Sequence, residues 1–327
     1  MRVLVTGASG FLGSHVAERL AEQGHDVVAL VRKSSNKKFL ESLPRVELAL
    51  GAIEDKDSVL AAARGVDAVV HSAGLVKARN EAEFFAINTE GTRNVLEAAQ
   101  ESAPGLKRFV FVSSLAAIGP SLDGKPVPGD MDPRPVTHYG RSKLAAEKLV
   151  LEARDRLPVV VLRPPMIYGP RDNESFAFFQ SVSRRFLPFL GDGLNTMSVI
   201  YASDAAQACI HAIEHDMPSG SAYFLSDGEV YVWRDMLGAI ETALARKALV
   251  RFSVPMGLLR AAALGSEGLG RLTNKAVMLT RDKVNELSQP HWVCDSSSFT
   301  ALGWQPQVKW AEGTRRAAEW YRKEGWL

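Results

Sequence analysis

The sequence predicts an α/β fold in which a doubly wound parallel sheet is accompanied by a smaller, discontinuous C-terminal lobe. In the first half of the 327-residue chain, short β-branched runs alternate with helical patterns, as in repeated β-α-β units. The strand runs are apolar throughout, which is typical of strands covered on both faces. After Arg163 the pattern becomes irregular, and Pro and Gly are frequent, which indicates a separate lobe.

The elements of the first half follow one another as strand, helix, strand. The predicted strands are residues 2–5, 26–31, 46–50, 68–71, 108–112 and 159–162. The predicted helices are residues 11–23, 55–64, 81–102 and 139–154. In the second half, residues 198–214 predict a further strand and helix of the same sheet.

Composition excludes several classes of function. The net charge of +2 gives no general case for nucleic acid as a partner. The two cysteines, Cys209 and Cys294, and the seven histidines show no metal-ligand spacing. The first apolar run leads directly into glycines, unlike a signal peptide. We therefore expect a cytoplasmic protein that binds no metal and no nucleic acid.

No apolar run approaches the roughly 20 residues that a membrane helix needs, so no membrane partner is expected. One segment leaves a second interpretation open. Residues 254–271 are rich in Leu, Ala and Gly, and such a segment can touch a membrane surface. Its few cations and many glycines disfavour that interpretation.

A glycine-rich turn follows the first predicted strand. Gly7, Gly10 and Gly13 have the spacing G-x-x-G-x-x-G and stand between a strand and a helix. In such a turn the glycines allow a tight bend, close approach of the backbone to a pyrophosphate, and close packing of the helix. The helix N-terminus offers free N–H groups to the phosphates. The predicted dinucleotide site also includes Thr6, Ser9, Phe11 and Leu12.

The end of the second strand indicates which dinucleotide is bound. An NAD site needs an acid there for the ribose 2′-hydroxyl, whereas an NADP site replaces the acid with a cation. This chain has Val31 at the acid position, followed by Arg32. A guanidinium can fork onto a phosphate, so we predict NADP(H) over NAD(H), with Arg32 on the 2′-phosphate. A solvated basic loop is the alternative, since Lys33, Lys37 and Lys38 are nearby.

The glycine spacing preceded by Thr6 resembles the short-chain dehydrogenase/reductase superfamily, and the chain length is similar to that of its extended branch. The resemblance implies a Rossmann dinucleotide-binding domain over residues 1–163 and about 198–226. It implies that residues of about 164–197 and 227–327 form mostly a substrate lobe. The family usually has Asp where Ala52 stands. The further cofactor contacts that the resemblance implies are Ile53, Ser72, Ala73, Gly74, Pro164 and Ile167.

A tyrosine and a lysine stand four residues apart, at Tyr139 and Lys143, and therefore on one face of a helix. A free tyrosine has a pKa near 10, and a nearby ammonium lowers that pKa. We therefore expect a proton-transfer tyrosine tuned by Lys143. The resemblance implies that both residues also contact the cofactor. The resemblance assigns the hydroxyl that polarises the substrate carbonyl to Ser114, with Ser113 as the alternative. It also assigns Asn88 to the proton-relay region.

These features predict an NADP(H)-dependent oxidoreductase that interconverts a ketone or aldehyde and an alcohol on a small-to-medium apolar substrate. Sugar-nucleotide dehydratases commonly carry an Asp-Glu pair where this chain has Leu115 and Ala116, and Met197 stands where sugar-nucleotide enzymes carry an Arg. The chain instead resembles the dihydroflavonol-4-reductase and 3β-hydroxysteroid dehydrogenase-like group. Candidate residues for an apolar pocket are Phe176, Phe178, Phe179, Phe186, Phe189, Met197, Pro255, Met256, Leu258 and Leu259.

Two alternatives stay open at this stage. One is a nucleotide-sugar epimerase of the same fold, and the other is a non-catalytic NADP(H)-sensing regulatory protein. The set of Ser114, Tyr139 and Lys143 disfavours the second, because a sensor needs no proton donor. The resemblance further implies a homodimer formed through the tyrosine helix.

Overall fold

The computed structural model describes all 327 residues, with the exception of the Leu190 side chain. The strands are β1 (Arg2–Thr6), β2 (Asp26–Val31), β3 (Val46–Leu50), β4 (Ala68–His71), β5 (Arg108–Val112), β6 (Val159–Arg163), β7 (Met166–Tyr168), β8 (Phe186–Leu190), β9 (Thr196–Met197), β10 (Val199–Tyr201), β11 (Ser221–Phe224), β12 (Tyr231–Val232), β13 (Val250–Val254) and β14 (His291–Trp292).

The helices alternate with the strands through the first half and dominate the second. They are α1 (Phe11–Glu22), α2 (Lys38–Glu41), α3 (Lys56–Ala63), α4 (Glu81–Phe84), α5 (Gly91–Ser102), α6 (Leu115–Ile118), α7 (His138–Glu152), α8 (Asn173–Ser183), α9 (Ala202–Glu214), α10 (Trp233–Leu244), α11 (Met256–Thr273), α12 (Arg281–Leu287), α13 (Ser297–Thr300) and α14 (Trp310–Lys323). A π-helical segment, Phe85–Glu90, joins α4 to α5.

Seven parallel strands form the main sheet in the order β11-β6-β5-β4-β1-β2-β3. Helices α1 and α9 contribute to the apolar core on one face, and α3, α5 and α7 to the core on the other. The predicted doubly wound sheet is therefore confirmed. The order in which successive strands are added to the sheet reverses between β1 and β4. In such folds, ligands bind at that point, outside the carboxyl ends of the strands.

One strand prediction is wrong. Residues 198–214 supply the predicted helix, α9, which packs on α1, but the strand before it lies outside the main sheet. The free edge of β6 is taken by β11, which pairs with it from Val160 to Arg163. Strand β10 pairs instead with β7 in a separate two-stranded sheet.

The C-terminal lobe has its own aromatic core. Tyr168, Phe179, Trp310 and Tyr321 are buried together, and they join α8, α10 and α14. The approach is close, because a Cβ atom on Gly313 would lie 2.2 Å from the Tyr168 hydroxyl. In the described part of the chain, no helix combines the length and apolarity needed to cross a bilayer.

Candidate active site

The carboxyl ends of the central strands open into a large cleft between the sheet and the C-terminal lobe. Its volume is about 2040 Å³, well above the roughly 300–1,000 Å³ of a typical small-molecule pocket. The cleft therefore has room for a dinucleotide and a second molecule together.

The glycine turn forms one wall of this cleft. Gly7 has a φ of +72°, and a Cβ atom there would lie 2.8 Å from the Ala73 backbone nitrogen. A Cβ atom on Gly13 would lie 2.2 Å from the Gly7 carbonyl oxygen. Side chains are thus excluded at these two positions, and the N-terminus of α1 lines the cleft with no acidic residue in its first turn. This cradle fits the pyrophosphate of a dinucleotide.

Most of the predicted cofactor residues border the same cleft. Thr6 is the exception, because it is fully buried below the turn. The residues that line the cleft are Gly7, Ser9, Gly10, Phe11, Leu12, Gly13, Arg32, Ile53, Ser72, Ala73, Gly74, Tyr139, Lys143, Pro164 and Ile167.

A buried hydrogen-bond chain explains the position of Thr6. The Ala73 N–H donates to Thr6 Oγ1 at 3.3 Å, and Thr6 Oγ1 lies 2.6 Å from His71 Nδ1. His71 Nε2 lies 2.9 Å from Thr92 Oγ1, which donates to the Asn88 carbonyl at 2.6 Å. Since the Thr92 proton is used, its oxygen accepts from Nε2–H and Nδ1 accepts from Thr6.

His71 is neutral within this chain of hydrogen bonds. Burial lowers its pKa to about 3, and the positive charge of Lys143 acts in the same direction. The neutral ring joins the turn after β4 to the helix that begins beyond the π segment. The sequence places His71 only at the end of a predicted strand and does not reveal this connection.

Asn88 lies in the π segment, where the sequence predicts an uninterrupted helix. Its Nδ2 donates to the Leu75 carbonyl at 3.0 Å and to Ser142 Oγ at 2.9 Å, and its Oδ1 accepts from the Leu75 N–H at 2.7 Å. Asn88 is itself buried. It therefore positions the turn after β4 against α7. Departures from α-helical geometry of this kind are frequent at functional sites.

Helix α7 carries Tyr139 and Lys143 into the cleft. Thr137 caps its N-terminus by accepting from the Gly140 N–H at 3.0 Å. Lys143 Nζ donates to the Val112 carbonyl at 2.6 Å and lies 4.2 Å from the centre of the Phe111 ring. The lysine is buried.

Burial sets the pKa values of both groups. It lowers the pKa of Lys143 to about 7, against the opposing charge of Glu147. It raises the pKa of Tyr139 to about 12, and the nearby Ser114 hydroxyl opposes that shift. The expectation that Lys143 lowers the tyrosine pKa is therefore not met, because desolvation outweighs any other effect on the phenol. At neutral pH the phenol is protonated and can donate.

The two serines after β5 point to different surroundings. Ser113 is buried and donates to Glu147 Oε2 at 2.7 Å, and Glu147 in turn pairs with Arg163, whose Nε lies 3.1 Å from Oε1. Ser114 caps α6 by accepting from the Ala116 N–H at 3.1 Å, and its hydroxyl is near enough to Tyr139 to act on the pKa of that phenol. The geometry thus favours Ser114 over Ser113 as the hydroxyl beside the tyrosine. The buried Glu147–Arg163 pair that holds Ser113 is not evident from the sequence.

The lobe side of the cleft is mostly apolar. Of the predicted pocket residues, Phe178, Phe189, Met197 and Leu259 line the cleft. Phe176 and Phe179 instead pack in the core of the lobe, Phe186 and Leu258 are exposed, Pro255 caps α11, and Met256 begins that helix. The cleft is also lined by residues from distant segments that the sequence pattern does not single out, namely Trp233, Met278, Leu287 and Trp292.

Comparison with known proteins shows the family to which this chain belongs. The model of the NAD dependent epimerase/dehydratase family matches residues 3–225. The chain belongs to this family. It is 33% identical to a ceramide reductase of Caulobacter vibrioides, over 99% of this chain and 96% of that protein. It is 31% identical to a 2-alkyl-3-oxoalkanoate reductase of Stenotrophomonas maltophilia, over 97% and 98%.

Solved structures of the NAD dependent epimerase/dehydratase family share the fold along the full chain. The UDP-glucose 4-epimerase of Thermus thermophilus, in complex with NAD, superposes with a TM-score of 0.79 at 25% identity and covers 98% of this chain and 99% of that one. The protein is thus an enzyme of the extended short-chain dehydrogenase/reductase type, with reductases among its relatives. In the described part of the chain, no cluster of His, Cys, Asp or Glu side chains could hold a metal ion.

Proposed function

We propose that this protein is an NADP(H)-dependent reductase that converts a ketone or aldehyde into an alcohol, and that also runs the reverse oxidation. The observation that carries the proposal is the pair formed by Tyr139 and Ser114. Both line the cleft, the Ser114 hydroxyl acts to lower the pKa of the Tyr139 phenol, and Lys143 lines the same cleft. This arrangement provides a proton donor and a second hydroxyl for one carbonyl oxygen.

The residues present fit a nicotinamide dinucleotide. The turn from Gly7 to Gly13 would hold the pyrophosphate, Ile53 would form an apolar wall for the adenine, and Lys143 would hold the ribose next to the nicotinamide. When bound, the dinucleotide supplies the hydride. The protein orients the acceptor and supplies the proton.

The proton chemistry follows from the pKa directions. The Ser114 hydroxyl orients the carbonyl oxygen of the substrate toward the Tyr139 phenol. Because burial raises the tyrosine pKa to about 12, the phenol keeps its proton until negative charge develops on the carbonyl oxygen. The phenol then donates that proton. The apolar side chains around the cleft exclude water and strengthen these interactions.

Arg32 supports NADP(H) over NAD(H). It lines the cleft at the end of β2 together with Ser35 and Asn36. Val31, at the position of the acid in NAD sites, is buried and apolar. A guanidinium and two small polar residues form a suitable set of donors for a 2′-phosphate.

The apolar wall supports a substrate with a hydrocarbon portion. The cleft lining includes Phe178, Phe189, Met197 and Leu259 from the C-terminal lobe. The names of the two curated relatives, ceramide reductase and 2-alkyl-3-oxoalkanoate reductase, describe substrates that combine polar groups with alkyl chains. We therefore place a carbonyl with an alkyl tail ahead of a sugar nucleotide as the substrate class.

A carbonyl panel read by NADPH consumption tests the proposal. We expect 3-oxo esters of increasing chain length to be reduced with NADPH in preference to NADH. Arg32→Ala lowers kcat/KM for NADPH at least about tenfold, whereas Lys33→Ala, an exposed neighbour outside the cleft lining, serves as the matched control. A preference for NADH that Arg32→Ala leaves unchanged contradicts the cofactor assignment. Epimerisation of UDP-glucose without net cofactor turnover contradicts the reductase assignment.

A further inference from the structure

Helix α11 exposes its leucines instead of burying them. Leu272 is 87% exposed, and Leu258, Leu264 and Leu269 are each more than half exposed. The helix buries only Ala263 and Gly270. An ordinary surface helix turns its large apolar side chains inward and its charges outward, so α11 has the reverse arrangement.

Helical spacing shows how extensive this apolar face is. At 100° per residue, the inward positions 259, 263 and 270 lie on one side. The opposite arc contains only Leu, Ala and Gly: Gly257, Leu258, Ala261, Ala262, Leu264, Gly265, Gly268, Leu269 and Leu272. Exposed apolar surfaces of this kind mark sites of interaction. We call these nine residues the outer face of α11.

The chain segment that contains the outer face carries mostly positive charges, of which Arg251 is paired with Glu241 at 2.6 Å. Residues 246–275 contain six Lys or Arg and one Glu, a net charge of +5, whereas the whole chain has +2, which leaves −3 for all other residues. The single acid, Glu267, is already paired with Arg281 at 3.0 Å. This concentration of positive charge beside an apolar face is complementary to an anionic lipid surface.

The opposite side of α11 borders the cleft. Leu259, Gly270 and Arg271, on the inward and flanking sides of α11, line the cleft. Strand β13 immediately precedes the helix and adds Val250 and Phe252, both exposed. Helix α11 therefore stands between the cleft and any surface that covers its outer face.

We propose that α11 and β13 dock on an anionic lipid surface, with the helix lying along that surface. The cleft then receives its substrate, a carbonyl compound with a hydrocarbon tail, directly from the lipid phase. The substrate part of this inference rests on the proposed function, whereas the docking part does not. It reverses the expectation of no membrane partner, because which side of the helix is buried becomes visible only in the folded structure.

Vesicle flotation with the purified full-length protein tests the docking. We expect the protein to float with vesicles of phosphatidylcholine and phosphatidylglycerol, to float less with phosphatidylcholine alone, and to be released by salt. The triple variant Leu264→Glu, Leu269→Glu, Leu272→Glu loses vesicle affinity at least about tenfold. Leu122→Glu, at an equally exposed leucine outside the segment, is the matched control and floats as the wild type does. Leu272→Glu alone is measured in parallel, so that the test does not depend on the folding of the triple variant.

Flotation needs neither cofactor nor substrate, so the two proposals fail separately. A protein that reduces a short water-soluble ketone but does not float overturns the docking surface. The same holds if the single and triple variants float as well as the wild type. Dissociation of a wild-type dimer by these variants, without vesicle binding, assigns the outer face to a second copy and also overturns the proposal. A protein that floats but reduces no carbonyl contradicts the proposed function and leaves the docking supported.

Discussion

The Ser113 hydroxyl lies 2.7 Å from the Oε2 atom of Glu147, and this contact turns Ser113 toward the interior behind α7. Successive residues of extended chain point in opposite directions, so the next residue, Ser114, points toward Tyr139. A buried ion pair between Glu147 and Arg163 fixes the first serine and leaves the second in the cleft.

This relationship predicts different effects for the two serine variants. Ser114→Ala lowers kcat for carbonyl reduction about 100-fold, because a hydroxyl beside the developing oxyanion is lost. Ser113→Ala leaves kcat near the wild-type value and lowers the free energy of unfolding by about 1–3 kcal/mol, because the buried Glu147 loses a donor. Steady-state kinetics and urea denaturation measure both quantities. The opposite pattern would assign the catalytic hydroxyl to Ser113.

Tyr139→Phe removes the proton donor and leaves the ring in place. We expect kcat to fall at least about 100-fold, whereas the Kd for NADPH, measured by fluorescence titration, stays near the wild-type value. The reason is that the glycine turn and Arg32, not the phenol, carry most of the expected cofactor contacts. A variant with substantial turnover would show that another group supplies the proton.

We expect the substitution Lys143→Met to raise the free energy of unfolding by an amount that depends on pH. The pKa of Lys143 is lowered from 10.5 to about 7 by burial. Below pH 7 the lysine is charged in both states, so the cost of burying the charge is fully present. Between pH 7 and 10.5 the unfolded chain binds the additional proton, and the stability of the wild type rises with pH.

The variant lacks this rise, so its advantage over the wild type is largest below pH 7 and shrinks toward pH 10. A pKa change of that size sets an upper limit of about 5 kcal/mol. Denaturation curves across this pH range measure the difference. A stability difference in favour of the variant that grows with pH would contradict the charged, buried state of Lys143. We also expect the variant to lose activity at every pH.

His71→Leu breaks the hydrogen-bond chain between Thr6 and Thr92. Two buried hydroxyls lose their partner, so we expect the free energy of unfolding at pH 7 to fall by about 2–4 kcal/mol. The pKa of His71 is lowered to about 3 in the fold. Below pH 6.5 the unfolded wild type therefore binds a proton that the folded protein does not, and the difference between variant and wild type narrows as the pH falls. A difference independent of pH would mean that the folded histidine also binds a proton.

The sequence predicted the central strands well because burial on both faces of a parallel sheet leaves uninterrupted apolar runs such as Val159 to Leu162. The glycine turn and the pair formed by Tyr139 and Lys143 could be predicted because their residues are close together in the sequence. The choice between two strands that compete for the same sheet edge could not be predicted from the sequence. Whether β10 or β11 takes the edge of β6 depends on pairing partners that are far apart in the chain.

The missed parts of the site share a physical cause. The π segment keeps the apolar pattern of an ordinary helix, and the chain from Thr6 through His71 to Thr92 joins residues that are 65 and 21 positions apart. The outer face of α11 has a composition that also fits a packed core. In each case, which atoms are buried together is decided by the fold and not by the neighbouring sequence.

The most direct test of the proposed reaction follows deuterium from NADPH to the product. With both hydrogens at the nicotinamide C4 replaced by deuterium, a 3-oxo ester is reduced by the wild type and the product is analysed by mass spectrometry. We expect the wild type to form a hydroxy ester with one deuterium on the carbinol carbon. We expect Tyr139→Phe to form the same product much more slowly. A product without deuterium, or deuterium that stays on the cofactor while a sugar nucleotide is epimerised, would contradict it.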